Sequence, residues 1–164
     1  MEVTHPFPPL YDVASRILIL GSFPSVKSRE QRFFYGHPQN RFWRVTAAVF
    51  GCAVPQTVEE KRAFLLRHHI ALWDVIARCE ITGSSDSSIR NVTPNDLSVI
   101  LEAAPIRQIF VNGGTAAKYY EKFQQKLTNR PAVRLPSTSP ANAAWTEARL
   151  RAAWEIIAEP ARQP

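Results

Sequence analysis

The sequence predicts an α/β fold: a three-layer α/β/α sandwich around a central, mainly parallel four-stranded sheet. Three observations predict it. Four short apolar runs are each bounded by turn residues, as buried strands are. Helical patterns fall between and after those runs, the alternation that parallel strands with crossover helices require. The chain has 164 residues, 45% hydrophobic and 21% charged, enough to bury one core without disulfide staples.

The elements follow in order. The opening His5-Pro6-Phe7-Pro8-Pro9-Leu10-Tyr11-Asp12 cannot be helical, because its prolines remove donors and restrict their neighbours. Residues 1–15 are expected to form an extended arm of a single domain spanning 1–164. Strands are expected at 17–21, 70–76, 108–111 and 132–135. One helix carries Phe42, Trp43 and Phe50 on a face that must be buried. Thr57 with Glu60 makes a capping box, and Val58, Leu65 and Leu66 follow at helical spacing. Thr93-Pro94-Asn95-Asp96 reads as a cap, a first-turn proline and an acid ahead of a helix through Leu97, Ile100 and Leu101. Further helices are expected from Thr115 through Phe123 and from about Trp145 through Ile157, with 160–164 a loose tail. In such sheets the site lies beyond the carboxyl ends of the strands, here 21–25, 74–78, 112–114 and 136–142.

The 20 Lys and Arg against 14 Asp and Glu leave a net charge of +6, which favours a polyanionic partner, nucleic acid first. Cys52 and Cys79 are too few to scaffold the chain or to hold an iron–sulfur cluster or structural zinc by themselves. They fit a reduced, cytoplasmic setting, and no apolar run approaches the length of a membrane span. Gly-x-Ser-x-Gly and a Gly-Lys-Ser/Thr P-loop are both missing from the sequence, so serine-hydrolase and P-loop chemistry have no foothold.

Between Ser25 and Phe50 the composition changes. Lys27, Arg29, Arg32, Arg41 and Arg44 face the single acid Glu30, so +4 of the net charge sits here. Phe33, Phe34, Tyr35, Phe42 and Trp43 are interleaved with them. Basic groups beside aromatic rings suit phosphate contact with base stacking; a solvated basic face over core aromatics fits the same composition. The residues of this stretch resemble a known family. Gly21-Ser22-Phe23-Pro24-Ser25-Val26-Lys27-Ser28, then Tyr35-Gly36-His37-Pro38-Gln39-Asn40-Arg41-Phe42-Trp43, then Leu135-Pro136-Ser137-Thr138-Ser139-Pro140-Ala141 resemble the hypoxanthine-DNA glycosylases, the sixth family of the uracil-DNA glycosylase superfamily. The opening His5 to Asp12 is similar too, so the resemblance runs from about residue 5 to the last helix, covers nearly the whole chain and implies the uracil-DNA glycosylase-like fold. The second segment is also similar to the mismatch-specific uracil glycosylases. Phe23 and Ser25, however, stand where that family has the Asn and the second Gly of its Gly-x-Asn-Pro-Gly loop, which moves the catalytic amide elsewhere.

The resemblance implies roles, and each role has a structural alternative. Asn40 would orient the hydrolytic water, or simply cap the helix that follows. Asn112 would read the edge of the extruded base, or be a turn residue before Gly113-Gly114. Tyr35 would stack the base, or pack under its loop. Gly21, Ser22 and Phe23 would line the base pocket, or form an ordinary β–α turn. Ser25, Lys27, Arg32 and Arg41 would meet DNA phosphates, as would Ser137, Ser139, Pro140, Ala141 and Asn142 in the last loop. His37 beside Pro38 is a structural residue or a general acid. The implied activity is hydrolysis of the N-glycosidic bond of a flipped-out deaminated base, hypoxanthine above uracil or xanthine. The substrate would be double-stranded or single-stranded DNA, the enzyme a monomer, and no metal or cofactor would be required. The alternatives are uracil excision as the main activity, a non-catalytic DNA- or RNA-binding protein, or a mononucleotide-binding enzyme using the Gly113-Gly114 turn. The motifs contain no carboxylate pair of the kind ordinary glycosidases use.

Overall fold

A computed structural model describes residues 1–162. In chain order its strands and helices are β1 (Glu2–Thr4), β2 (Ile17–Gly21), α1 (Val26–Gln31), α2 (Phe42–Phe50), α3 (Val58–Arg67), β3 (Ile70–Asp74), β4 (Ile76–Glu80), β5 (Arg90–Pro94), α4 (Ser98–Leu101), β6 (Gln108–Asn112), α5 (Gly114–Phe123), α6 (Gln125–Thr128), β7 (Ala132–Leu135), α7 (Glu147–Trp154) and α8 (Ala158–Arg162), with short 3-10 turns at Asp86–Ser88 and Glu155–Ile157.

The main sheet has the order β3-β2-β6-β7, and every neighbouring pair in it is parallel. Ile17–Leu20 are wholly buried, as a strand covered on both faces must be, and this is why it reads as an unbroken apolar run. From β2 the chain moves to one side to form β3 and later to the other side to form β6. With right-handed crossovers this places helices on both faces and opens a crevice at the carboxyl end of β2. The expected three-layer architecture is present, with α3 packed on β3, α5 on β6 and β7, and α2 on α7.

Four expectations are corrected. The run 70–76 is two strands: β3 ends at Asp74, Val75 N–H turns to donate to the Gly21 carbonyl at 2.8 Å, and β4 joins a second, antiparallel sheet of order β1-β4-β5. Thr93 and Pro94 close β5 instead of starting a helix; β5 is an edge strand, where proline is tolerated, and the next helix begins at Ser98. The last long helix starts at Glu147, because Thr146 caps it by accepting from Arg149 N–H. Residues 160–162 are helical with Ala161 buried, so the looseness expected there does not hold, and residues 163 and 164 lie outside the described residues. The capping box at Thr57 and Glu60 forms as expected. The opening arm is extended but pinned: β1 pairs with β4, and Leu10 bridges Leu72 on the free side of β3.

Candidate active site

A cleft of about 890 Å³ opens at the carboxyl ends of β2, β3, β6 and β7, in the range of small-molecule pockets. Its floor is where Gly21, Asp74, Tyr35 and Asn112 meet. A Cβ on Gly21 would stand 2.5 Å from Asp74 Oδ1 and 3.1 Å from the Tyr35 hydroxyl, so the crowding there excludes every other residue. Asp74 is almost fully buried, and its Oδ2 lies 2.7 Å from His5 Nε2. The pair spans 69 positions of sequence. His5 is in turn wedged against Phe7, 4.5 Å between ring centroids, and Phe23, which makes the opening arm part of the site.

Tyr35 adopts a left-handed φ of 50°, costly for a residue with a side chain. Three contacts hold it there: its ring stacks on Phe42 at 4.1 Å, its carbonyl accepts from Trp43 Nε1 at 3.2 Å, and its hydroxyl accepts from Asn112 Nδ2 at 3.3 Å. Burial first, and then the charge of Asp74, push the phenol well above the usual tyrosine range, against the pull of the Asn112 hydrogen bond. Phe42 occupies one ring face, and Tyr35 lines the cleft.

Asn112 is fixed by a reciprocal pair with the fully buried Thr138. Its Nδ2 donates to Thr138 Oγ1 at 3.0 Å, and its Oδ1 accepts from Thr138 N–H at 3.1 Å. The backbone donor settles which end of the amide is oxygen. Both Nδ2 hydrogens are thereby used, one on Thr138 and one on Tyr35.

The loop 136–142 is tied down from several sides. Ser137 Oγ accepts from Ser139 N–H and Ser139 Oγ from Ala141 N–H, while Asn142 Nδ2 donates to the Ser137 carbonyl and Trp154 Nε1 to the Pro136 carbonyl. Arg41 completes the clamp, donating to the carbonyls of Ser139 at 2.9 Å, Asn142 at 3.1 Å and Trp145. Arg41 therefore faces inward and holds the loop, which corrects its expected role at a phosphate.

The remaining motif residues divide. Asn40 lines the cleft, and its Oδ1 accepts from Phe42 N–H at 2.9 Å. From one residue ahead of the N-cap position, Arg41, it satisfies the first N–H of α2 and still presents its Nδ2 and a second Oδ1 lone pair. His37 lines the cleft too, with Nδ1 accepting from Gln39 N–H at 3.1 Å. Ser22 donates to Asp86 at 3.2 Å. Ser25 caps α1 and donates to Ser28, whose hydroxyl accepts from Gly36 N–H at 2.9 Å; this joins the first motif to the second. Phe33, Phe42 and Trp43 pack into the core, while Phe23 and Phe34, buried as well, also line the cleft with Gly21 and Ser22. Lys27 stands on the outer face of α1 beside Glu30 at 3.6 Å, and Arg32 is exposed at the end of α1; neither lines the cleft.

The cleft also holds Asp74, Asp86 and Arg134, which lie outside the motifs, and Thr138, a motif residue given no role of its own; His5 backs Asp74. The motifs contain no carboxylate pair, and Asp74 and Asp86 enter the cleft from outside them. Partial burial pushes the Asp86 carboxyl up, the hydroxyls of Ser22 and Thr115 pull it down, and Asp74 adds to the rise. An acid ending an apolar strand is a readable signal for Asp74; His5 opens the segment 5–12, which carries no sign of its partnership with Asp74. Among the described residues no cluster of His, Cys, Asp and Glu fits a metal ion, and no helix is long and apolar enough to cross a membrane.

Comparison with known proteins agrees with this geometry. Residues 8–159 match the family model of the uracil DNA glycosylase superfamily. A Methanosarcina acetivorans protein named hypoxanthine DNA glycosylase is 35% identical over 152 residues, covering 92% of this chain and 95% of that protein. One of the same name from Methanosarcina barkeri is 31% identical over 133 residues, covering 80% and 84%. The solution NMR structure of a Methanosarcina acetivorans protein described as a candidate uracil DNA glycosylase superposes with a TM-score of 0.78 at 33% identity, covering 96% of this chain and 99% of that one. With the sheet order, the strand-end cleft and the three motif loops converging on it, the chain belongs to the uracil-DNA glycosylase superfamily.

Proposed function

We propose that this chain is a monofunctional DNA glycosylase that hydrolyses the N-glycosidic bond of a deaminated base, hypoxanthine first, flipped out of double-stranded DNA. The observation that carries the reading is the convergence of Asn40, Tyr35 and Asn112, from separate loops and strands, on one cleft in a chain similar to proteins of that name. A base inside the stack exposes neither C1′ nor its edge, so the nucleotide must leave the duplex, and a weakly paired deaminated base leaves at the lowest cost. Tyr35 stacks it. As the glycosidic bond lengthens, the sugar gains cationic character and the base negative charge. Backbone N–H groups of the first loop stabilise that negative charge by preorganised donation. Asn40 holds the water that attacks C1′. An amide is a poor base, so the rate rests on stabilising the leaving group more than on activating the water.

Lys27 lies on the outer face of α1 with Glu30, out of reach of a flipped sugar, so no Schiff base forms and the strand stays intact. Lys27, Arg32, Arg134 and the loop 136–142 are the groups that meet the DNA backbone. The cleft is complete within one chain, and the enzyme works as a monomer. The test is incubation with end-labelled duplexes bearing inosine, uracil or xanthine. Breaks appear only after alkali, fastest for inosine, and borohydride traps no covalent complex. Breaks without alkali, or a trapped band lost in Lys27→Ala, would overturn the monofunctional assignment.

A further inference from the structure

We propose that Asp74, oriented by His5, is the specificity-determining residue of the cleft: it selects bases that carry a ring N–H next to a carbonyl. This rests on the glycosylase reading above and says which atoms of the base that site recognises.

Asp74 is only 6% exposed in its side chain, with Oδ2 taken by His5 at 2.7 Å. Its Oδ1 carries no hydrogen bond among the described residues, yet the residue lines the cleft. A near-buried carboxylate oxygen without a partner is costly; placed at the floor of a cleft, it is an acceptor waiting for a donor from the ligand. The donor beside it is the Tyr35 hydroxyl, since both atoms crowd the same point above Gly21, at 2.5 and 3.1 Å. That hydroxyl accepts from Asn112, so its own hydrogen is free to donate. An acceptor next to a donor is the complement of a lactam. The base N–H donates to Asp74 Oδ1, and the neighbouring carbonyl accepts from Tyr35.

Asn112 cannot supply this pair, because both Nδ2 hydrogens and one Oδ1 lone pair are already engaged. Its part is to hold Tyr35 and the last loop. Hypoxanthine, xanthine and uracil all present the lactam pair; adenine presents a ring acceptor, whose lone pair would face that of Asp74. A site built to pair with an N–H rejects the analogue that lacks it. Guanine also has the lactam, so its exclusion falls to its stable pairing in the duplex. His5 is a positioning residue: a carboxylate partner keeps the proton on Nε2, which aims Oδ1 at the cleft.

The test compares single-turnover excision from duplexes bearing inosine and nebularine, the purine nucleoside lacking both the C6 oxygen and the N1 hydrogen, by wild type and Asp74→Asn. Both bases pair weakly, which leaves the lactam as the difference. Wild type is expected to favour inosine by on the order of 10-fold or more. In Asp74→Asn, His5 Nε2–H holds the amide oxygen, Nδ2 turns into the cleft, and the inosine preference collapses toward equality. Wild-type rates equal on the two duplexes would overturn the proposal. So would an Asp74→Asn enzyme that loses rate on both while keeping the preference. Were Asp74→Asn to misfold, the wild-type comparison decides alone. Failure of wild type to release any deaminated base would instead bring down the glycosylase reading itself.

Discussion

The basic rim that lies outside the cleft's lining and the floor of the cleft are built on different physics. At the rim, Lys27 and Arg32 are exposed, Lys27 with one solvent-facing ion pair; such charges attract any polyanion and are screened by salt. At the floor, Gly21, Asp74, Tyr35, Asn112 and Thr138 interlock through short hydrogen bonds and close contacts. In the proposed reading the rim contributes affinity that is indifferent to sequence and base, and the floor contributes choice and chemistry. Charge density is visible in a sequence, whereas the floor is one buried carboxylate, Asp74, among uncharged residues held still.

Variants can break or sharpen this division. The largest effect is expected for Asn40→Ala: a loss of about 100-fold or more in single-turnover rate, the scale of a positioned catalytic group, with DNA affinity retained. Because Asn40 also accepts from the first N–H of α2, thermal unfolding should show a loss of about 0.5–1.5 kcal/mol as well. A variant with near wild-type rate that only melts earlier would make Asn40 a cap and nothing more.

Thr138→Val comes next. It keeps the shape but removes the hydroxyl that accepts from Asn112, leaving a buried donor unpaired at about 1–3 kcal/mol. Stability and excision should fall together, while the Thr138 backbone N–H still holds the Asn112 amide oxygen. Unchanged rates would show that the floor does not depend on that pair.

Arg32→Glu and Arg41→Ala separate rim from clamp. Reversal at Arg32 should flatten the dependence of DNA affinity on salt, read from binding isotherms across salt concentrations, because fewer counterions are released. Arg41→Ala should leave that slope alone and lower stability, since it strips donors from the carbonyls of Ser139, Asn142 and Trp145. The opposite pattern would exchange their roles.

The smallest effect concerns Asp86. Its folded-state carboxyl titrates above the ordinary aspartate value, with burial the main cause, so the native state binds this proton more tightly than the unfolded chain. The cost is absent below the unfolded value, grows as pH rises, and is complete above the folded one. Asp86→Asn should therefore gain stability relative to wild type on going from pH 3 to pH 7. A gain that shrinks over the same interval would contradict the sign.

Much of this was legible in the sequence, for identifiable reasons. Fully buried parallel strands cannot alternate polar and apolar residues, so β2 and β6 stand out as runs. The capping box at Thr57 is a local pattern with a local cause. The run 70–76 was read as one strand because the turn at Asp74 and Val75 contains neither Gly nor Pro; it is made by Val75 reaching the Gly21 carbonyl, a long-range event. Thr93-Pro94 has the chemistry of a helix start, and pairing with β4 overrides it. At the site, the motif loops were visible and their directions were not. Arg41 carries the same charge as Arg32 yet points the other way, which only the carbonyls of a loop some 100 positions distant decide. His5 and Asp74 have no local signal of their partnership, because 69 positions separate them.

If the proposed function holds, the cleft breaks one glycosidic bond and nothing else. The most direct test is to incubate wild-type protein with an inosine-bearing duplex and quantify, in the same sample, free hypoxanthine by chromatography and strand breaks before and after alkali. The predicted result is one free base for every alkali-sensitive site, with no breaks before alkali. Tight binding of the duplex without release of any base would contradict it.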